Sequence, residues 1–237
     1  MKRSVLHWCL AVCVLVSCGG TLPVTAAPTS ALAGCATTEP VFRLVPGHFD
    51  FCVARKLWSS GDYRGAEKML LQAARWADKN AQLALGVAYF TGAGLEHDRP
   101  LGLAWLALAC ERGNAVLQPT CDQYRTQATP QEQQAAQVRL ARLSPVYADR
   151  VAAPRADRRY QKEAALMRGN PAYGGACIAG IDLIVQANFN SDPPTDADGC
   201  GLGSQMRTAR ILDVLHDDYF EGWNGKVQVG APQSHPD

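Results

Sequence analysis

Residues 80–113 read NAQLALGVAYFTGAGLEHDRPLGLAWLALACERG, and this stretch decides the fold. Its first part carries apolar residues at the spacing of a helix. Ala81, Leu85 and Tyr89 fall on one side of a helix that is predicted over about 80–91.

A glycine-rich break follows this helix, and a second helix begins after it. Gly92 and Gly94 can take the positive φ that ends a helix. Asp98 is placed to cap the next helix, with Pro100 in its first turn, and this helix is predicted to stop at Gly113. The stretch therefore predicts two helices joined by a short loop, an α-α hairpin.

Part of the same pattern occurs one repeat earlier. At a spacing of 36 residues, Asp62, Ala66, Ala73, Ala74 and Ala81 correspond to Asp98, Gly102, Ala109, Cys110 and Leu117. Periods of this length mark helical solenoids, in which each hairpin buries its apolar stripe against a neighbour. We therefore predict an all-α fold, a solenoid of α-α hairpins over residues 45–168.

The residues of the hairpin resemble a Sel1-like repeat, a member of the tetratricopeptide-like solenoids. The resemblance is carried by Ala81, Leu85, Gly86, Tyr89, Gly92, Gly94, Asp98, Trp105, Ala109 and Gly113. The sequence departs from the family at Gly102 and Cys110, where alanine is usual. The resemblance implies a helical scaffold that binds another protein.

The resemblance also implies one disulfide. In cysteine-rich secreted members of the family, a cysteine at the place of Cys110 pairs with one early in the next helix. Cys121 lies about one helical turn further along than that partner. Two pairings therefore remain as alternatives: Cys110 with Cys121, and Cys121 with a later cysteine.

Further helices are predicted on both sides of the hairpin. They cover about 48–59, 63–77, 114–127, 129–143, a short segment capped by Ser144-Pro145, and 156–168. Thr129 and Glu132 have the spacing of a capping box. Residues 27–44 are predicted to be a flexible lead. Residues 169–237 are predicted to be an irregular C-terminal extension, in which 206–215 indicates a short helix and the apolar run over 178–186 indicates either a strand or a short helix.

The N-terminus has the features of a targeting segment. Lys2 and Arg3 precede an apolar run that ends near Val16. The run favours either an ordinary signal peptide over 1–26 or a lipoprotein signal over 1–17, with Cys18 as the acylated residue. Both alternatives predict an exported protein of the periplasm or outer membrane of a Gram-negative-type bacterium, and the second adds a lipid anchor.

The cysteines that follow either cleavage site form an even set. They are Cys35, Cys52, Cys110, Cys121, Cys177 and Cys200. None has C-x-x-C spacing, so disulfides are favoured over a redox or zinc site in an oxidising compartment. Their connectivity is left open.

The sequence contains no recognisable catalytic, metal-binding or cofactor motif. His48, His97, His216 and His235 are far apart, without the spacing of a zinc site. A formal net charge of +1 at pH 7 gives no global field for nucleic acid. We therefore predict no catalytic residue, metal, cofactor or nucleic-acid partner.

Charge is nevertheless uneven along the chain. Cations predominate from Arg139 to Arg168, and acids predominate from Asp192 onward. Three interpretations follow: two separate solvated surfaces, an extension that folds back on the basic helices, or a basic face that meets an anionic partner of the envelope.

We expect a non-catalytic envelope protein whose helical repeat acts as a scaffold or adaptor for an envelope protein partner. Two alternatives remain. One is a hydrolase or enzyme regulator with its site in the C-terminal extension, and the other is a purely structural outer-membrane lipoprotein.

Overall fold

The computed structural model describes residue 35 and residues 37–168 and 205–223. All regular secondary structure in these ranges is helical. The helices are α1 (Glu39–Leu44), α2 (Pro46–Ser59), α3 (Tyr63–Arg75), α4 (Lys79–Thr91), α5 (Arg99–Ala109), α6 (Gln118–Thr126), α7 (Pro130–Tyr147), α8 (Asp149–Arg168) and α9 (Gln205–Tyr219). The predicted all-α class is confirmed.

Helices α2 to α5 each pack on the next helix along the chain. α2 packs on α3 and α4 on α5, as the two hairpins predicted from the sequence require. α3 also packs on α4, and α5 packs on α7. Neighbouring hairpins therefore bury each other's apolar faces, while their description as a solenoid stays a prediction.

Aspartate caps begin the hairpin helices. The carboxylates of Asp62, Asp78 and Asp98 each accept a hydrogen bond from the backbone N–H three residues later, at 2.8, 2.8 and 2.9 Å. At the start of α7, Thr129 and Glu132 form the predicted capping box. The caps predicted at Asp98 and Thr129 are confirmed.

Trp105 lies at the centre of the hairpin core and is 2% exposed. Its ring meets that of Tyr147 edge-on, with the ring centroids 4.7 Å apart. The same core contains Phe51, Ala54, Leu70, Ala73, Ala74, Ala81, Leu85, Leu108 and Ala148. Trp105 is therefore buried between the two hairpins, in the core that they share.

Two glycines allow α4 and α5 to approach closely. A Cβ atom added at Gly86 would lie 2.7 Å from the side chain of Leu106. A Cβ atom added at Gly102 would lie 2.6 Å from the backbone nitrogen of Phe90. Glycine at 102, a departure from the Sel1-like pattern, is thus explained by the local distance between the two backbones.

The flexible lead was predicted to extend to residue 44, and this boundary is corrected. Residues Glu39–Leu44 form α1. Val41 and Leu44 are buried in a core shared with α8 and α9, and this packing holds a helix too short to be stable alone.

Two predicted helix boundaries near prolines are also corrected. α7 continues through Ser144 and Pro145 to Tyr147, because Leu143 and Tyr147 pack on the core of Trp105. α8 begins at Asp149, seven residues earlier than predicted, and contains Pro154. Tertiary packing therefore outweighs the tendency of proline to interrupt a helix at both sites.

The described part of the C-terminal extension is not irregular. The helix predicted over 206–215 is confirmed and runs from Gln205 to Tyr219. α9 packs on α8, with Asp213 paired to Arg168 and His216 Nε2 2.8 Å from Asp157 Oδ1. This segment folds back on the basic helices, as one interpretation of the uneven charge expects. The rest of the predicted extension lies outside the described residues.

Candidate binding groove

A groove of about 290 Å³ lies between α5, α6 and α7. Its apolar lining consists of Leu103, Ala104, Leu106, Ala107, Ala136 and Leu140. Its polar lining consists of Gln118, Arg125, Gln133 and Gln137, and Cys110 and Cys121 complete it. This volume lies near the lower end for small-molecule pockets, so it suits a few side chains of a partner.

A disulfide forms one wall of the groove. Cys110 follows the last residue of α5, and Cys121 lies in the first turn of α6. The two are bonded, with their Cα atoms 6.6 Å apart. The pairing that the resemblance implied is therefore the one found, and it covalently joins the two helices that line this wall.

Arg99 fixes the opposite wall at the start of α7. Its guanidinium lies 4.1 Å from the ring centroid of Phe90, and Arg99 Nε donates to Glu132 Oε1 at 2.7 Å. The backbone N–H of Thr129 lowers the pKa of Glu132, and Arg99 lowers it further. Glu132 is thus held ionised in the contact that fixes α7 against α5.

The rim of the groove carries amide and guanidinium groups. Gln133 Nε2 donates to the carbonyl oxygens of Arg125 and Ala128 at 3.2 and 3.3 Å, which orients this amide. Gln118 Nε2 donates to Asp122 Oδ1 at 3.0 Å. Groups of this kind hydrogen-bond readily to the backbone of a bound polypeptide.

The residues that carry the Sel1-like resemblance build the scaffold and do not line the groove. Ala81, Leu85 and Ala109 are fully buried between the hairpins. Gly92 at the C-cap of α4 and Gly94 in the following loop take the predicted positive φ. Gly113 also has positive φ, but α5 ends at Ala109, four residues earlier than predicted. The Tyr89 hydroxyl donates to the carboxylate of Glu67 on α3. The recognisable motif therefore specifies the hairpin, whereas other residues form its groove.

Sequence reasoning missed the polar rim. Gln118, Arg125, Gln133 and Gln137 were not singled out as site residues. The available signal was the glutamine-rich run over 127–137. That run alone does not show which of its members face a groove, because this depends on how α7 packs on α5.

A cluster of charged groups joins the hairpins to α8, and within it Lys79 and Asp149 are buried whereas Glu111 is exposed. This ionic cluster consists of Lys79, Glu111, Arg112 and Asp149. Arg112, whose side chain is 3% exposed, donates from Nε to Asp149 Oδ2 at 2.7 Å. Lys79 Nζ lies 2.7 Å from Glu111 Oε1 and 3.0 Å from Asp149 Oδ1. The cluster joins α4, the end of α5 and the start of α8.

Backbone groups complete the coordination of the ionic cluster. Arg112 Nη1 donates to the carbonyl oxygen of Tyr219 at 2.9 Å, and Lys79 Nζ donates to that of Leu108 at 2.8 Å. Burial lowers the pKa of Lys79, while Asp149 and Glu111 oppose this shift. The cluster satisfies its own charges and ties the C-terminus of α9 to the hairpins, which is a structural role.

The remaining predicted site residues are only partly described. Cys35 and Cys52 form a second disulfide, with their Cα atoms 5.3 Å apart. Cys18, Cys177 and Cys200 lie outside the described residues, as do both predicted signal sequences. In the described ranges, His, Cys, Asp and Glu side chains form no group of three suited to a metal ion.

None of the helices in the described ranges combines the length and apolarity needed to cross a bilayer. The chain matches no family model, no curated protein and no solved structure.

Proposed function

We propose that this chain is a non-catalytic protein of the cell envelope that binds another protein through the groove between α5, α6 and α7. This proposal rests on the groove. Apolar side chains of α5 and α7 offer a surface to bury, and the amides and guanidinium at its rim offer hydrogen bonds to a polypeptide backbone.

Preorganisation of the groove supports binding. The Cys110–Cys121 disulfide joins α5 to α6, and the Arg99–Glu132 pair joins α5 to α7. Walls that are already held in place lose little conformational entropy when a partner binds. This agrees with the adaptor role that the Sel1-like resemblance implies.

The two disulfides support an exported location. Disulfides persist in oxidising compartments and are rare in the cytosol. Together with the targeting features of residues 1–26, they favour the periplasm or the outer membrane. A lipid anchor at Cys18 belongs to the same proposal as its alternative form.

The test has two steps. A photo-crosslinking residue at Gln137 first identifies the partner in envelope extract, and the affinity of the purified partner for the full chain is then measured. Ala107→Trp places a large side chain in the groove from an exposed position and is expected to weaken binding about tenfold or more.

Lys68→Trp, at an exposed position on α3, is the matched control and is expected to bind as the wild type does. Unchanged affinity in Ala107→Trp would reject the groove as the binding site. Equal weakening in both variants would reject it as well.

A further inference from the structure

α8 presents one strongly basic face to solvent. Arg155, Arg158, Arg159 and Lys162 occupy positions i, i+3, i+4 and i+7 of this helix, and we call them the basic face. This spacing places the four side chains on one side of the helix. The buried residues Ala152, Ala156, Tyr160, Ala164 and Met167 lie on the other side.

The acids of α8 do not neutralise this face, because each is paired elsewhere. Asp149 belongs to the ionic cluster, and Asp157 pairs with His216 of α9. Glu163 Oε2 lies 2.7 Å from Arg43 Nη2 of α1. The carboxylates of α8 are therefore committed to contacts with other helices.

The cations of the basic face bond to backbone carbonyls or extend into solvent. Arg155 Nη1 donates to the carbonyl oxygen of Arg75 at 2.6 Å, and Arg159 Nε donates to that of Arg43 at 2.9 Å. Arg158 and Lys162 are exposed. Within the described part of the chain, none of the four pairs with a carboxylate, so their positive charge is uncompensated.

Two exposed apolar side chains flank the basic face. Phe42 of α1 is 46% exposed, and Leu166, four residues after Lys162 on α8, is 52% exposed. The Arg159 guanidinium lies 5.5 Å from the centroid of the Phe42 ring. At a membrane interface, cations bind anionic headgroups, and aromatic and aliphatic side chains enter the boundary between headgroups and acyl chains.

One disulfide fixes a residue that precedes α1, the helix that carries Phe42. The disulfide to Cys52 fixes Cys35, which lies four residues before α1, so the two are at most about 14 Å apart along the chain. A lipid at Cys18, the predicted alternative, would leave a tether of at most about 60 Å to Cys35. Such a tether would arrive near α1, which carries Phe42.

We propose that the basic face, with Phe42 and Leu166, docks on an anionic lipid bilayer. The cations bind headgroup phosphates, and the two apolar side chains enter the interfacial region. The exposed apolar groups favour a bilayer over a soluble anionic polymer, because a polymer in water offers little apolar environment in which to bury them.

Vesicle binding tests this proposal. The mature chain is used with its N-terminus at Ala27, so that neither the apolar run of the predicted signal sequence nor an acyl group at Cys18 contributes, with vesicles of phosphatidylcholine alone or with phosphatidylglycerol added. We expect binding that requires the anionic lipid and weakens with salt. Arg158→Gln combined with Lys162→Gln should weaken it roughly 25-fold, about fivefold for each cation.

The control is Arg64→Gln combined with Lys68→Gln, which removes two exposed cations at the same spacing from α3. It is expected to stay within about twofold of the wild type, since these cations lie away from the proposed contact. Circular dichroism checks that both double variants fold. Equal weakening in the two, or unchanged binding in the α8 variant, would overturn the proposal.

Leu166→Ser tests the apolar part separately. We expect it to weaken vesicle binding at high salt, where the contribution of charge is screened. Binding that is unaffected by Leu166→Ser, or binding to a soluble polyanion without binding to anionic vesicles, would reject bilayer docking.

Discussion

At the scale of single residues, Gly102 shows packing outweighing helix propensity. Propensity alone predicts that Gly102→Ala, in the interior of α5, stabilises the protein by about 1 kcal/mol. The added Cβ would however lie 2.6 Å from Phe90 N and 2.7 Å from Gly86 O, both backbone atoms. We expect a net loss of about 1–3 kcal/mol in the free energy of unfolding, measured with denaturant. A gain in stability would contradict the close approach of α4 and α5.

Trp105 gives a second prediction at this scale. Trp105→Ala removes the largest side chain of the hairpin core and should cost about 3–5 kcal/mol of unfolding free energy. Phe42→Ala, at an exposed aromatic position, serves as the comparison and should cost far less. A loss below about 1 kcal/mol for Trp105→Ala would mean that the hairpins do not stack around this side chain.

Asp50 makes stability depend on pH. Burial raises its pKa from 3.8 to about 6, and the charge of Asp78 adds to this shift. The folded state therefore holds this proton more tightly than the unfolded state does. The tighter binding of this proton contributes favourably to the stability of the folded state. This contribution is complete below about pH 4 and is lost as the pH rises towards 6.

Asp50→Asn should therefore stabilise the protein at pH 7 by about 3 kcal/mol relative to the wild type. At about pH 3, below both pKa values, the two proteins should differ little, because Asp50 is then mostly protonated and neutral in both states. Urea unfolding of the pair across this range measures the difference. A gain that is equal at both pH values would show that titration of Asp50 is not its cause.

At the scale of helices, Arg112 connects elements that are far apart in the sequence. Its guanidinium bonds Asp149 at the start of α8 and the carbonyl oxygen of Tyr219 at the end of α9. Arg112→Met leaves a buried carboxylate with one partner fewer and should cost about 3–5 kcal/mol. Arg142→Met, at an exposed position on α7, is the control and should change unfolding by less than about 0.5 kcal/mol.

Local sequence signals predicted most helices well. The apolar spacing, the caps at Asp98 and Thr129 and the glycines after α4 are local features, and the helices follow them. The wrong boundaries lie where contacts between residues distant in the sequence determine the structure. α1 is held by α8 and α9, and α7 continues through Pro145, which keeps Tyr147 in contact with Trp105. A single sequence does not show such contacts.

The site was harder to predict than the fold for the same reason. Glycines and alanines that set the hairpin recur at a visible period, but the groove arises only where α7 closes against α5. The ionic cluster likewise unites residues whose sequence positions span 79–149. Charge counting did show that the region from Arg139 to Arg168 is basic, but not which cations face solvent.

At the scale of the whole molecule, disulfides connect outer segments to the hairpin core, and the described ranges contain two of them. Non-reducing peptide mapping should find Cys35 linked to Cys52 and Cys110 linked to Cys121. Replacing Cys110 and Cys121 together by serine should cost about 3 kcal/mol, because the unfolded chain loses a closed loop. Either cysteine found in another linkage would contradict the groove wall described here.

The Cys35–Cys52 bond also has a mechanical consequence. Tension applied to the chain ahead of Cys35 reaches α2 directly through a covalent link, so α1 is bypassed. Cys52 lies near the middle of α2, which packs along α3. The force would therefore act near the middle of a packed helix, where many contacts must break together. It would not unfold the short α1 one turn at a time. Reduction of this one bond would transfer the same force to α1.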